Sequence, residues 1–247
     1  MLLDQLARFD AIMPLVREVN GRTLLDVGSG SRGFGALVGA PWEVTAVDAD
    51  FGDYGGADGP VDDHVRRIAA DTRSLPFPDR SFDVVVAIDL LEHIDPSDRP
   101  SVMAELGRVT RGRLVVACPA GGDALDADQR LARYLERRGR DVPGWLVEHL
   151  EAGFPEPAEI TKGLRPVGAV EVRPNESIAA RDSLLRLQSN RVGGWLSRVA
   201  GAVLSGGVGR GGPRSALLRH LRGRDRAPTY RAIAVSDRDP DAVAPGG

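Results

Sequence analysis

The first half of the chain alternates between short runs of consecutive apolar residues and segments with apolar residues at helical spacing. The apolar runs are rich in Val and Leu and predict strands at about 23–28, 43–48, 81–89 and 112–119, with a weaker strand ending near residue 70. Such runs suit parallel strands that are buried on both faces of a sheet. Helical patterns cover residues 1–22, 33–40 and 96–110. The pattern predicts an α/β fold with a doubly wound, mostly parallel sheet, which binds ligands at the carboxyl ends of its strands.

The second half of the chain is less regular. Helices are predicted at 126–139 and 143–153, and strands at 167–174 and 229–237, which makes seven strands in all. A helical insertion at about 178–224 separates the last two strands. Between Ser183 and Arg224 it holds eight arginines and no Asp or Glu. Its apolar residues form a broad face, made of Leu184, Leu185, Leu187, Val192, Trp195, Leu196, Val199, Val203 and Leu204.

Length and composition indicate one soluble domain that spans residues 1–247. Of the 247 residues, 42% are hydrophobic and 27% are charged, and the net charge of -3 gives no overall attraction to nucleic acid or membrane. The single cysteine, Cys118, lies in an apolar run and is expected to be a buried structural thiol. No run approaches the roughly 18 apolar residues of a membrane span, so a cytoplasmic protein is expected.

The predicted domain divides into consecutive parts. An N-terminal helix (1–22) precedes a cofactor-binding half (23–120) and a substrate-side half (121–236), and the Pro-, Gly- and Asp-rich tail (237–247) is expected to be disordered.

The stretch "LLDVGSGSRGFG", Leu24 to Gly35, raises the question of its ligand. Its glycines follow a strand as in a dinucleotide fingerprint, and Asp48 stands 20 residues beyond Gly28, where an acid binds a ribose. Asp26, however, lies two positions before Gly28. A carboxylate there repels a pyrophosphate and attracts an ammonium group. S-adenosylmethionine, which has an amino group and a sulfonium but no phosphate, therefore fits better than a nicotinamide cofactor.

Several ordered motifs between Thr23 and Pro119 resemble those of the class I S-adenosylmethionine-dependent methyltransferases, in particular bacterial members of type 11. They are "LLDVGSGSRG", "VTAVDAD", "AADTRSLPFPDRSFDVVVAIDLLEHI" and "ELGRVTRGRLVVACP". The resemblance implies S-adenosylmethionine as cofactor. It places the methionine moiety on Asp26 and the backbone of Gly28 to Gly30, the ribose hydroxyls on Asp48, and the adenine on Asp71 and Thr72. The implied cofactor-binding residues are Asp26, Gly28, Ser29, Gly30, Asp48, Ala49, Asp71, Thr72, Asp89 and Leu90.

The end of the fourth predicted strand, "AIDLLEHIDP", carries Asp89, Glu92 and His93 where a transferable methyl group should face its acceptor. Glu92 and His93 are candidate catalytic residues, because an acceptor hydroxyl needs a base and a histidine titrates near neutral pH. The trio also resembles the E-x-x-E-H metal cluster of ubiquinone-biosynthesis and small-RNA methyltransferases, with Asp in place of the first Glu. A structural pair that caps the next helix is the third interpretation, and no metal is predicted. His149 is a further candidate to line the acceptor pocket.

The expected function is methyl transfer, preferentially to oxygen, on a small-molecule, glycan or lipid-linked acceptor. One alternative is a nicotinamide-dependent oxidoreductase or epimerase, although Lys162, the only lysine, has no tyrosine four residues before it. The other is a non-catalytic cofactor-binding or scaffold protein.

The arginine-rich insertion has several interpretations. It could be a basic amphipathic hairpin on an anionic membrane surface, which would place the protein peripherally at the inner face of the membrane. It could also cover an anionic acceptor, or be a helical cap packed on its own domain. Nucleic acid is not expected as a partner, because Trp195 is the insertion's only aromatic residue.

Overall fold

The computed structural model describes residues 3–31, 33–51, 64–188, 191–204, 208 and 212–239. Seven strands form one sheet in the order β3-β2-β1-β4-β5-β7-β6. The strands are β1 (Thr23–Val27), β2 (Glu43–Asp48), β3 (Val65–Ala69), β4 (Phe82–Ile88), β5 (Thr110–Pro119), β6 (Val170–Ser177) and β7 (Thr229–Asp237). Strand β7 runs antiparallel to both of its neighbours, and the pairs among β1 to β5 are parallel. The predicted mostly parallel, seven-stranded sheet is confirmed.

Eight α-helices are described. They are α1 (Leu3–Arg17), α2 (Arg99–Val109), α3 (Gly122–Glu136), α4 (Gly144–Ala152), α5 (Pro157–Leu164), α6 (Ile178–Gln188), α7 (Arg191–Leu204) and α8 (Gly212–Leu221). Helices α6 to α8 form the predicted helical insertion between β6 and β7. Asp237 of the predicted disordered tail belongs to β7, and residues 240–247 lie outside the described residues. No helix in the described part of the chain is both long and apolar enough to cross a membrane.

The helical pattern at 33–40 is realised only as a 3-10 turn, Phe34–Leu37. Gly33, Gly35 and Gly39 lie within or beside this turn, and each glycine disfavours a helix by about 1 kcal/mol relative to alanine. Because the turn is short, its shape depends on tertiary contacts.

Both faces of the sheet are buried, which explains the consecutive apolar runs. In β4, Val84 and Val86 pack with α1 on one face, whereas Val85 and Ala87 pack with α2 and α5 on the other. Cys118 of β5 belongs to the second layer and is fully buried, as expected. The residues that follow β1, β2, β3 and β4 are thereby held at one edge of a rigid sheet.

A glycine just before β6 gives the first test of this packing. A β-carbon at Gly168 would overlap the main-chain oxygen of Asp237. Gly168→Ala should therefore lower the free energy of unfolding by about 1–3 kcal/mol, the usual effect of overpacking, as measured by chemical denaturation. Gly144→Ala is the matched control, because a β-carbon there would have no heavy atom within 4 Å. Equal stability of the two variants would contradict the predicted overlap.

Candidate active site

A cleft of about 500 Å³ opens at the carboxyl ends of the parallel strands. It is lined by Ala49, Ala69, Ala70, Asp71, Thr72, Arg73, His93, Ile94, Asp95 and Asp98. Residues that follow β2, β3 and β4 thus share one cavity, as a doubly wound sheet requires. Three predicted cofactor residues, Ala49, Asp71 and Thr72, lie together there with the catalytic candidate His93.

The glycine loop follows β1 and is anchored to β2. The backbone N–H groups of Gly28 and Ser29 donate to the Val47 carbonyl oxygen at 2.8 and 3.3 Å. Gly28 and Gly30 have φ values of +73° and +56°, which glycine adopts readily. A β-carbon at Gly28 would lie 2.9 Å from the Leu90 side chain, whereas a β-carbon at Gly30 would have no heavy atom within 4 Å. The loop is packed on Leu90 on one side and leaves room for a close ligand at Gly30.

Asp26 is buried near the end of β1, just before the glycine loop. Its side chain is only 2% exposed, and Oδ2 accepts a hydrogen bond from the Gly35 backbone N–H at 2.8 Å. Burial raises its pKa to about 7, opposed by backbone hydrogen bonds from Gly35 and Phe34. The carboxyl group therefore holds the 3-10 turn after the loop. The contact of Asp26 with the methionine moiety of the cofactor stays a prediction.

Asp48 connects the second motif to the glycine loop. Its Oδ2 accepts from the Gly30 N–H at 2.8 Å, and its Oδ1 accepts from the Asp50 N–H at 3.1 Å. Because each carboxylate oxygen can accept two hydrogen bonds, Asp48 retains capacity for two hydroxyl groups. This geometry is compatible with the predicted ribose contact.

Asp71 lies in the cleft but is paired with Arg73. Both Asp71 oxygens accept from Arg73 Nε at 3.0 Å, and Arg73 Nη1 donates to Asp98 at 2.9 Å. The hydrogen bond from Arg73 lowers the pKa of Asp71, which favours its ionised form. Thr72 beside it is buried. Any adenine amino group bound by Asp71 would share that carboxylate with Arg73.

Asp89 does not join Glu92 and His93, contrary to the predicted trio. Its backbone has a φ of +56°, and its carboxylate forms ion pairs with Arg8 of α1 and Arg231 of β7. The left-handed backbone turns the side chain toward these guanidinium groups. Neither arginine lies near Asp89 in the sequence, so no local pattern could have indicated the pairing.

The structure nevertheless brings the three predicted catalytic residues together. Glu92 and His93 lie on a 3-10 turn, Leu91–His93, and His149 lies on α4. One ligand atom from each of the three lies within 4.8 Å of the others, and the two imidazole centroids are 5.0 Å apart. His149 replaces Asp89 as the third member of the cluster.

His149 is oriented by a buried carboxylate that the sequence analysis did not identify. Its Nδ1 lies 2.8 Å from Asp128 Oδ2. Asp128 is fully buried on α3 and also accepts from the Tyr230 hydroxyl at 2.9 Å and from Arg181 at 2.5 Å. Tyr230 and Arg181 hold Asp128 in place, and Asp128 in turn fixes the imidazole of His149. The other ring nitrogen, Nε2, remains available to a bound methyl-acceptor molecule.

His93 is held by a different acid. Its Nδ1 lies 2.8 Å from Glu148 Oε2. Burial lowers the pKa of His93, and the charge of a protonated His149 lowers it further. His93 therefore favours the neutral imidazole, the form that can take up a proton.

Two aromatic rings contact His149. Trp145 and Phe154 contact the His149 ring edge-on, each with a centroid separation of 5.2 Å, and Phe154 also contacts Tyr230. These rings limit the access of water to His149 and offer an apolar wall to a bound molecule.

Glu92 is buried beside the histidines. It is 1% exposed, and its Oε2 has no hydrogen-bond partner among the described residues. Burial raises the pKa of Glu92 to about 8, so the carboxyl holds a proton at neutral pH. One carboxylate and two imidazoles are also a donor set for a divalent transition metal, which would bind after that proton is lost.

Arg99 fixes the distance between the two histidine-bearing segments, although the sequence analysis did not single it out. It is 2% exposed at the start of α2. Its guanidinium donates to the carbonyl oxygens of Leu91, Ile94, Ala152 and Gly153, at 2.6–3.2 Å. One side chain thus ties the turn that carries His93 to the end of the helix that carries His149.

Comparisons with known proteins agree with this architecture. Residues 25–116 match the family model described as a methyltransferase domain. The 27-O-demethylrifamycin SV methyltransferase of Amycolatopsis mediterranei is 43% identical over 81 residues, which are 30% of this chain and 28% of the relative. The ubiquinone biosynthesis O-methyltransferase of Paramagnetospirillum magneticum is 32% identical over 180 residues, which are 66% of this chain and 65% of the relative. The chain thus spans less than two thirds of the length of either relative.

Solved structures share the fold at low sequence identity. The magnesium protoporphyrin IX methyltransferase of Synechocystis PCC 6803 superimposes with a TM-score of 0.54 at 14% identity, over 96% of this chain and 84% of the other. A geranyl diphosphate methyltransferase superimposes with a TM-score of 0.54 at 16% identity, over 95% and 85%. Residues 25–116 thus match a methyltransferase domain, and the sheet around them has the Rossmann-like fold of these methyltransferases.

Proposed function

We propose that the protein transfers the methyl group of S-adenosylmethionine to a hydroxyl oxygen of a small-molecule acceptor, with His149 as the base. The observation that carries the proposal is the hydrogen bond from His149 to the buried Asp128, next to His93 and the cofactor-side cleft. A histidine fixed by a buried carboxylate is suited to accept a hydroxyl proton, and a nitrogen acceptor has less need of such a base.

The cleft residues fit the cofactor. Bound there, S-adenosylmethionine supplies a methyl group on an already activated carbon. Asp48 would accept the ribose hydroxyls, the loop at Gly30 would approach the methionine end, and Asp71 with the Thr72 backbone would bind the adenine. The open space beside Gly30 and the remaining acceptor capacity of Asp48 support this assignment.

The chain's own contribution is to position the acceptor and remove one proton. His149 Nε2 would take the proton from the acceptor hydroxyl, and the cofactor would supply the methyl group and leave as S-adenosylhomocysteine. Asp128 stabilises the resulting imidazolium, because it already binds Nδ1. Arg99 keeps His93 and His149 at their mutual distance, and Trp145 and Phe154 exclude water, which orients and desolvates the reacting groups.

Two further observations support an oxygen acceptor with apolar character. The names of both curated relatives refer to O-methylation. One is called an O-methyltransferase, and the other is named for an O-demethylated substrate. The aromatic rings around His149 would pack against a planar or apolar acceptor. The precise acceptor is set by the shape of this wall.

The test has two stages. Calorimetric titration of the purified protein should show binding of S-adenosylhomocysteine and none of NAD. Incubation with methyl-labelled S-adenosylmethionine and a fractionated cell extract should then label a small molecule, and acid and base treatment of the product identifies the linkage. Binding of NAD alone would restore the oxidoreductase alternative. Binding of the cofactor product without any transfer would favour the non-catalytic alternative.

A second candidate mechanism rests on the same cluster. Glu92, His93 and His149 offer ligand atoms within 4.8 Å of one another, so they could hold a divalent cation that lowers the pKa of an acceptor hydroxyl. Activity in the labelled assay would then disappear in EDTA and return with magnesium or manganese. If EDTA does not change the activity, only the mechanism with His149 as the base remains.

A further inference from the structure

Helix α7 is packed with most of its large apolar residues outward, and of these only Leu204 is buried in the core. Ser197, Gly193 and Gly201 are buried against the protein. The opposite side presents five large apolar residues, hereafter the α7 face. These are Val192, Trp195, Leu196, Val199 and Val203, which are 44–68% exposed. A helix that serves only as a cap buries its apolar side, so this orientation is the reverse of the expected one.

The exposed apolar residues are also concentrated in one region. Seven of the nine large exposed apolar residues in the described part of the chain lie on α6, α7 and α8. Scattered exposed apolar side chains are common, but a contiguous group marks an interaction surface.

The inverted orientation is fixed by polar contacts with α1. Ser197 Oγ accepts from the Leu3 backbone N–H at 3.2 Å and from Gln188 Nε2 at 2.9 Å. Gln188 also donates to Asp4 Oδ1 at 3.3 Å. These contacts require the small and polar side of α7 to face inward, so the apolar side remains exposed.

The charges around this face indicate the kind of partner. Arg198 is exposed on α7, and Arg214 and Arg219 are exposed on α8, which packs on α1 as α7 does. The segment from Ser183 to Arg224 holds no Asp or Glu. Symmetric pairing of two copies through the α7 face would bring their arginines together. That segment has no carboxylate to neutralise these like charges. An anionic lipid surface supplies both the apolar interior and the opposite charge.

We propose that the α7 face binds peripherally to an anionic lipid bilayer, with Trp195 and its neighbours in the headgroup region and the arginines on lipid phosphates. Tryptophan is favoured at this depth because its ring is apolar while its N–H can reach polar groups. This inference does not depend on catalysis.

The α7 face is connected to the candidate active site through α1. Ser197 binds the start of α1, Asp4 and Arg8 of α1 form an ion pair, and Arg8 binds Asp89 after β4. A bilayer on the α7 face would therefore lie beside the helix that contacts the site. If the proposed function is correct, this placement favours an amphiphilic acceptor that reaches the site from the membrane.

Vesicle sedimentation of the full chain, without cofactor, tests the docking. At low ionic strength the protein should pellet with phosphatidylcholine vesicles that contain roughly 30% phosphatidylglycerol and stay in the supernatant with phosphatidylcholine alone. The emission of Trp195, the one strongly exposed tryptophan among those described, should shift to the blue on binding. Added salt should release the protein.

Matched variants separate the apolar and charged contributions. Val199→Asp should weaken partitioning at least about tenfold, whereas Val172→Asp, at an exposed position on β6, should not. Arg198→Gln should weaken it about fivefold, whereas Arg140→Gln should not. All four positions are exposed, so an unchanged melting temperature verifies folding.

Three results would overturn the proposal. They are failure to pellet with anionic vesicles, equal binding to neutral vesicles, and concentration-dependent dimerisation that Val199→Asp abolishes in the absence of vesicle binding. The last result would assign the α7 face to a second copy of the chain. Because no methyl transfer is measured, none of these results bears on the proposed catalytic activity.

Discussion

His149→Asn should lower kcat by roughly 10²-fold to 10⁴-fold, the range that general bases contribute. The asparagine amide can still donate to Asp128, so the buried acid keeps a partner in the place of imidazole Nδ1. What the substitution removes is the nitrogen that takes the acceptor proton. The rate is measured with the labelled acceptor fraction at saturating S-adenosylmethionine.

Two further measurements distinguish a base from a structural residue. Affinity for S-adenosylhomocysteine should be unchanged in His149→Asn, because Asp48, Gly30 and the rest of the cofactor cleft are untouched. The KM for S-adenosylmethionine should also stay unchanged, so that the loss is confined to kcat. His64→Asn, at an exposed position just before β3, is the control and should behave as wild type. Full activity in His149→Asn would remove His149 from the mechanism.

The strands of the sheet could be predicted from the sequence because their signal is local. Strands β1, β4 and β5 are mostly buried, so their apolar runs stand out from the flanking turns, whereas the edge strand β3 is largely exposed and gave the weaker prediction. Strand β7 was predicted at 229–237, the range that the structure shows. The 3-10 turn at Phe34–Leu37 was missed, because its shape depends on the buried carboxyl of Asp26 rather than on spacing.

The candidate site was predictable only in part, because many of its contacts join residues that are far apart in the sequence. Glu92 and His93 follow a strong strand, so their position at the sheet edge follows from the topology. Asp128 lies 21 residues from His149, and both residues look like ordinary members of amphipathic helices. Arg99 binds carbonyl groups 53 and 54 residues away, and main-chain acceptors leave no signature in a sequence. Contacts of this kind become visible only when the helices have packed.

Glu92→Gln should make the protein more stable than wild type in alkaline solution. Burial raises the pKa of Glu92 from 4.5 to about 8 in the folded protein, whereas the unfolded chain keeps an ordinary value. The folded state therefore binds this proton more tightly. Its contribution to stability is complete below the unfolded pKa and is lost as the pH rises through about 8.

The size of the effect follows from the shift. One unit of pKa corresponds to about 1.4 kcal/mol, so between about pH 5.5 and about pH 9 wild type should lose about 3 kcal/mol more than Glu92→Gln. Glutamine has the shape of the protonated acid and does not titrate, so the two proteins should differ least at the acidic end. Asp26 and Glu176, whose pKa values burial also raises to about 7, titrate in both proteins and cancel in the comparison.

Denaturant unfolding at the two pH values measures the difference, with Glu43→Gln at an exposed position on β2 as the control that should follow wild type.

The same pair of proteins, wild type and Glu92→Gln, separates the two candidate mechanisms. A cation held by Glu92, His93 and His149 would favour the ionised carboxylate, so manganese should stabilise wild type at alkaline pH and have no effect on Glu92→Gln. With a histidine base alone, manganese should affect neither protein. Parallel pH dependence of wild type and Glu92→Gln without added metal would show that Glu92 is already ionised near neutral pH, and would contradict its burial as a neutral acid.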